Sequence, residues 1–66
     1  MQIFVNGESM EIEDGSSLAS VIALLKLAPE QCATAVNSEF VARGERALRR
    51  LQANDQIMTF EPITGG

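Results

Sequence analysis

The chain has 66 residues, 45% of them hydrophobic, with a formal net charge of -4, one cysteine and no histidine. That length allows one domain, and the apolar content suffices for a core, which excludes a disordered chain. An intrachain disulfide is excluded, a Cys/His zinc site lacks ligands, and the acidic balance argues against nucleic acid or an anionic membrane as partner, since both call for a basic face.

Gln2–Val5 reads as a strand, and Asn6-Gly7 after it is the strongest short hairpin signal, because both residues accept positive φ. The return strand, expected over residues 8–13, alternates Met10 and Ile12 with Ser9, Glu11 and Glu13, which gives one buried and one wet face. Ile3 and Val5 share the buried side with Met1, and Phe4 points to the opposite face. Asp14-Gly15 forms a turn, and Ser16 or Ser17 caps the helix that follows through its hydroxyl. The helix is expected over residues 18–27, with Leu18, Val21, Ile22 and Leu25 as its buried stripe. Lys26 suits the negative end of the helix dipole. Pro29 disfavours helical geometry at Ala28 and so ends the helix.

Residues 30–33 form a connection with one short helical turn. Cys32 there reads as a small, partly buried hydrophobe. Residues 34–36 make a short strand, Asn37-Ser38 a turn and residues 40–43 another strand, broken by Gly44. Residues 45–51 read as a turn or short helix with Leu48 and Leu51 facing inward. Arg46, Arg49 and Arg50 form a basic cluster there, read as a solvated face. Asn54-Asp55 turns the chain into the last strand, Gln56–Phe60. Pro62 lacks the N–H that a central strand needs, so pairing stops there. The expectation is a body over residues 1–61 and a flexible tail over residues 62–66. The body is an α+β roll, a mixed sheet of about five strands with one main helix on one face.

The absences bear on chemistry. Without histidine the usual general base and nucleophilic triads are missing, and Cys32 has nothing to activate it. There is no glycine-rich phosphate loop, and a chain this small has little room for a closed pocket. The expectation is a carrier or substrate, not an enzyme. The feature that remains is Gly65-Gly66. Without Cβ atoms this end can thread a narrow channel, and its carboxyl group is open from both sides. A free carboxylate is inert at neutral pH, so a chemical role requires activation by another protein. The competing reading is an incidental end of small residues. No apolar run reaches membrane-spanning length. There is also no basic-then-apolar leader, and the single cysteine adds to an expectation of cytoplasmic location.

The strand order and the Gly-Gly end together resemble the ubiquitin-like β-grasp superfamily, and within it the ThiS family of sulfur carriers of thiamine biosynthesis. The likeness spans the whole chain. Met1-Gln2-Ile3-Phe4-Val5-Asn6 is similar to the family's first strand. Ala35-Val36-Asn37 followed by Phe40-Val41-Ala42-Arg43 resembles its stretch of apolar residue, Asn, polar residues and Val-Pro-Arg. Asn54-Asp55-Gln56-Ile57 resembles its Gly-Asp-x-Ile entry to the last strand. Ala42 departs from the family's Pro, and Ala53-Asn54-Asp55 from its Asp-Gly-Asp. Asn tolerates left-handed geometry, so that turn can survive.

The resemblance implies that Gly66 bears an acyl-adenylate and then a thiocarboxylate, with Gly65, Thr64 and Ile63 as the tail that enters a partner's channel. It implies a ThiF-like adenylyltransferase using ATP and Mg2+, a sulfur donor such as a cysteine desulfurase or persulfide carrier, and a ThiG-like thiazole synthase as acceptor. This chain itself is expected to bind no cofactor and no metal. Alternation places Phe4, Met58 and Phe60 on the open face of the sheet, as a candidate docking patch. A register slip of one residue would reverse that. Three other readings stay open: a carrier of the same fold for molybdopterin or cysteine biosynthesis, a ubiquitin-like protein modifier, and a plain interaction module.

Overall fold

A computed structural model describes residues 1–61. Pro62 and the tail over residues 62–66 lie outside the described residues. The strands are β1 (Gln2–Val5), β2 (Glu8–Glu11), β3 (Ala33–Val36), β4 (Glu39–Val41) and β5 (Gln56–Phe60), with one helix, α1 (Leu18–Leu24), and 3-10 turns at Pro29–Gln31 and Arg43–Glu45. The sheet order is β2-β1-β5-β3-β4. β1 and β5 run parallel at the centre, and each is flanked by an antiparallel neighbour. This is the α+β roll expected from the sequence, with first and last strands side by side.

Both hairpins are set by two-residue turns with left-handed backbone, Asn6 and Gly7 at φ 50° and 87° and Asn37 and Ser38 at φ 51° and 70°. Positive φ at both positions matches the twist of the flanking strands, so each turn fixes its register. Val5 pairs with Glu8 across the first turn and Val36 with Glu39 across the second. One face of the sheet then carries the apolar residues that form the core. Ile3, Val5, Val36, Val41 and Ile57 meet Leu18 and Val21 of α1, together with Ile12 and Leu51, in one core. Met1, Met10 and Leu25 pack against its edge.

The helix starts as expected and stops early. Ser17 Oγ accepts the Ser20 N–H at 3.2 Å. The Leu18 and Ala19 N–H groups, which no helical carbonyl can satisfy, donate to the carbonyls of Arg49 and Arg46 at 2.9 and 3.2 Å. At the other end the helix stops at Leu24 and not Leu27, before Pro29 can act. Lys26 takes a left-handed φ of 58°. Its N–H bonds back to Ala23 O and that of Leu27 to Ile22 O, a Schellman closure. β2 also ends two residues early, at Glu11, although Ile12 still enters the core. The strand expected over residues 40–43 is shifted to Glu39–Val41, because the chain turns into the 3-10 segment at Arg43.

Two readings of residues 45–51 are overturned. Leu48 is 75% exposed, not inward. A tight turn in which the Leu48 and Arg49 N–H groups both reach Glu45 O places it outside. The basic cluster is not a solvated face throughout, because Arg46 is 3% exposed. Its Nε donates to Thr34 Oγ1 at 3.0 Å, one terminal nitrogen to Pro29 O at 2.9 Å and the other to Cys32 O. Arg50 reaches Gly15 O at 2.8 Å from the surface. Cys32 is buried and free, as its reading as a small hydrophobe requires.

Candidate functional site

The helix covers one side of the sheet, and the side chains that alternate away from the core make up the other. β5 contributes Met58 and Phe60, 44% and 50% exposed, on either side of half-buried Thr59. Ile57 is buried toward the helix, so the register is the expected one and Met58 and Phe60 lie on the open face. Phe4 is on that face too, since Ile3 and Val5 on either side of it are buried. It lies between Ser9 of β2 and Gln56 of β5 and is half-buried. The three residues expected on the open face therefore share it, with Phe4 less accessible than the other two.

The structure adds a fourth residue. Ala35 pairs with Met58 on one side and with Phe40 on the other. Directly opposed residues in a sheet share a face, so Met58, Ala35 and Phe40 form one row across three strands. Phe40 is 73% exposed. The row was readable in principle: the Asn37-Ser38 turn forces Val36 opposite Glu39, and hence Ala35 opposite Phe40. The sequence reading lacked the β3–β5 register that puts Ala35 beside Met58. Phe40 continues into a shallow hollow of about 260 Å³ with Val41, Ala42, Glu45, Leu48 and Arg49.

Charge is unevenly spread around this face. Glu8, Glu11, Glu13 and Asp14 lie on or just after the β2 edge, whereas Arg43 and Arg49 follow the β4 edge beside Glu39 and Glu45. Among the described residues, no group of three or more His, Cys, Asp or Glu side chains could hold a metal ion. The face has no nucleophile and base in contact. It is suited to be recognised, and it leads through Phe60 and Glu61 toward the tail. Gly66, Gly65, Thr64 and Ile63 lie outside the described residues.

The residues that carry the family likeness have structural jobs. Asn37 Nδ2 donates to Asp55 Oδ1 at 3.0 Å, and Asn37 Oδ1 accepts the Gln56 N–H at 3.0 Å. Asp55 Oδ2 accepts the Gln52 N–H at 2.8 Å. The β3–β4 turn and the turn entering β5 are thus tied together by two side chains 18 residues apart. Asn54 takes φ 72°, the left-handed geometry expected where the family has Gly.

A family model described as the ThiS family matches residues 3–66. The sulfur carrier protein ThiS of Escherichia coli is 32% identical over 66 residues, covering all of both chains. A thiazole synthase of Magnetococcus marinus is 38% identical over 66 residues, a match to all of this chain but only 20% of that protein's length. The crystal structure of a thiamine biosynthesis protein (ThiS) from Geobacter metallireducens superposes with a TM-score of 0.85 at 20% identity, over the full length of both chains. A solution structure of a thiamine biosynthesis protein from the same organism gives 0.81 at 20% identity, covering all of this chain and 88% of the other. Those two likenesses concern the fold, and the sequence matches extend through Gly66. This chain belongs to the ThiS family, with the β-grasp fold.

Proposed function

We propose that this chain is the sulfur carrier of thiamine thiazole biosynthesis and works through the carboxylate of Gly66. That carboxylate attacks the α-phosphorus of ATP on a ThiF-like partner, which supplies Mg2+ and the catalytic residues, and pyrophosphate leaves. A persulfide on a desulfurase or carrier then attacks the acyl carbon, and AMP leaves. A second partner thiol cleaves the acyl disulfide so formed, ending in a disulfide with the sulfur that carried the persulfide. The product is a thiocarboxylate, whose sulfur is a softer nucleophile than a carboxylate oxygen. The carrier then docks on thiazole synthase and gives the sulfur up. The chain supplies a recognisable body and a thin reactive end, and catalysis stays with its partners in the cytoplasm.

The observation that carries this reading is the match to the family along residues 3–66, which includes Gly65-Gly66. The thiazole synthase relative supports the acceptor, since a segment similar to this whole chain lies within that protein. The row Met58, Ala35 and Phe40, with Phe60 and Phe4, supplies the docking face on the side of the sheet that α1 leaves open. Intact-mass measurement tests the reading. Incubation with ATP, Mg2+, the host's adenylating enzyme and sulfide is expected to replace one oxygen by sulfur, and deletion of Gly66 is expected to abolish the change. No mass change, with the enzyme active on another carrier, would refute it.

A further inference from the structure

The central strand β5 is paired unevenly. On the β3 side its pairing runs to its last residue, Ala33 opposite Phe60. On the β1 side it ends at Val5 opposite Ile57, because the chain turns away at Asn6. The Asn6 N–H makes the last main-chain bond, to Ile57 O at 2.8 Å. A parallel ladder would next need a backbone acceptor for the Thr59 N–H, and the left-handed turn removes it. The Asn6 side chain takes its place. Oδ1 accepts the Thr59 N–H at 3.0 Å, and Nδ2 donates to Thr59 Oγ1 at 2.9 Å. Two bonds between residues 53 apart in sequence thus extend the β1 side of the ladder by one rung. That rung lies two residues before Glu61, where the described chain ends.

We propose that Asn6 is a positioning residue for the reaction at Gly66: its amide fixes Thr59, and so sets the point and direction from which the tail leaves the body. The proposal rests on the carrier reading above. A docked partner holds the body by the sheet face and must receive Gly66 in its active site. Each residue of tether that is not fixed before docking has to be ordered within the complex, at a cost in backbone entropy. β3 already holds the last residues of β5 on one side, and Asn6 holds Thr59 on the other, which lowers the freedom left at the point where the tail begins. The turn alone does not explain the choice of residue, because Gly or Asp would serve it as well. Asn reaches Thr59 with a donor and an acceptor, Asp can reach both groups with its two acceptor oxygens, and Gly reaches neither.

Asn6→Gly keeps the left-handed turn and removes both side-chain bonds. Asn6→Asp keeps an acceptor for the Thr59 N–H and can accept the Thr59 hydroxyl proton. Thiocarboxylate formation would be followed by intact mass at saturating ATP, Mg2+ and sulfide, with the carrier concentration varied. Asn6→Gly is expected to lower kcat at least threefold with KM for the carrier within twofold, and Asn6→Asp to restore most of the loss. Hydrogen exchange of the Thr59 amide is expected to quicken at least tenfold in Asn6→Gly relative to amides of β3. Unchanged kcat in a folded Asn6→Gly, or an unchanged Thr59 exchange rate, would overturn the proposal. Should Asn6→Gly fail to fold, Thr59→Val, which loses only the hydroxyl bond, must still lower kcat or the role is refuted. Failure of the wild-type chain to gain sulfur would instead refute the carrier reading and this role with it, while Thr59 exchange would still report whether the bonds exist.

Discussion

Arg46 is the residue whose removal tests the reading of this fold most severely. Its guanidinium is buried with no carboxylate in a salt bridge to it among the described residues, and its three acceptors are neutral: Thr34 Oγ1, Pro29 O and Cys32 O. Its own carbonyl accepts the Ala19 N–H at the start of α1. One side chain therefore ties the 3-10 turn at Pro29–Gln31 to β3 and to the segment that caps the helix. A hydrogen bond to a charged group contributes about 1.5–3 kcal/mol, so three bonds give a gross effect well above that. Truncation also relieves the burial of a charge and admits water to the freed carbonyls. The net cost of Arg46→Ala is then about 3–5 kcal/mol, the three bonds to a charged donor less the relief of the buried charge. A domain of 66 residues has roughly 3–10 kcal/mol in total. The variant is expected to melt at least about 12 °C lower. Far-UV circular dichroism in urea is the suitable assay, since the chain has no Trp or Tyr. Arg43→Ala, at an exposed cation three residues before Arg46, serves as control and is expected to stay within about 0.5 kcal/mol. A cost below about 1 kcal/mol for Arg46→Ala, at unchanged m-value, would refute the reasoning.

Phe40→Asp and Phe60→Asp are each expected to weaken binding to the adenylating partner at least tenfold, about 1.4 kcal/mol, with the melting temperature nearly unchanged. Calorimetric titration checks this with Leu24→Asp, an exposed helix position away from the sheet face, as control. Equal weakening by Leu24→Asp, or a collapse in melting temperature, would remove the docking role. Two backbone substitutions are expected to stabilise the fold by about 0.5–1 kcal/mol each, the first by relieving left-handed strain that outweighs the added freedom of the unfolded chain and the second by restricting that freedom. Lys26→Gly relieves the left-handed strain at φ 58°. Ala42→Pro restores the family's residue where φ is already -64° and ψ 152°. Thermal melts check both, and a lower midpoint for either would contradict the geometry described.

Local rules made the elements legible. Asn6-Gly7 announces a hairpin and Asn37-Ser38 a turn, alternation assigns faces to Phe4, Met58 and Phe60, and the sequence places β5 at Gln56–Phe60 as observed. The errors fall where a long-range partner decides. Leu48 and Arg46 exchange the expected inside and outside because the carbonyls of residues 46 and 49 are drawn to the start of α1, which turns the segment. The helix end was placed by Pro29, a real breaker, when Lys26 had already closed it by adopting a conformation that its side chain gives no hint of. Phe40 was overlooked because its face depends on two registers at once.

The two turn asparagines show how a local signal can hide a distant function. Each sits at the first position of a two-residue turn with φ near 50°, and that alone accounts for its presence in a hairpin. Yet each also sends its amide to β5, Asn37 to the Gln56 N–H where the strand begins and Asn6 to the Thr59 N–H near its end. The central strand is thus held at both ends by side chains from the two hairpins on either side of it. A shift of β5 along its axis would break both bonds together, and it would also move Met58 and Phe60 relative to Ala35 and Phe40. The register of the open face and the end of β5 are therefore fixed by one arrangement. That is the property a carrier needs if its body is gripped by one surface of a partner while its last residue reacts at another.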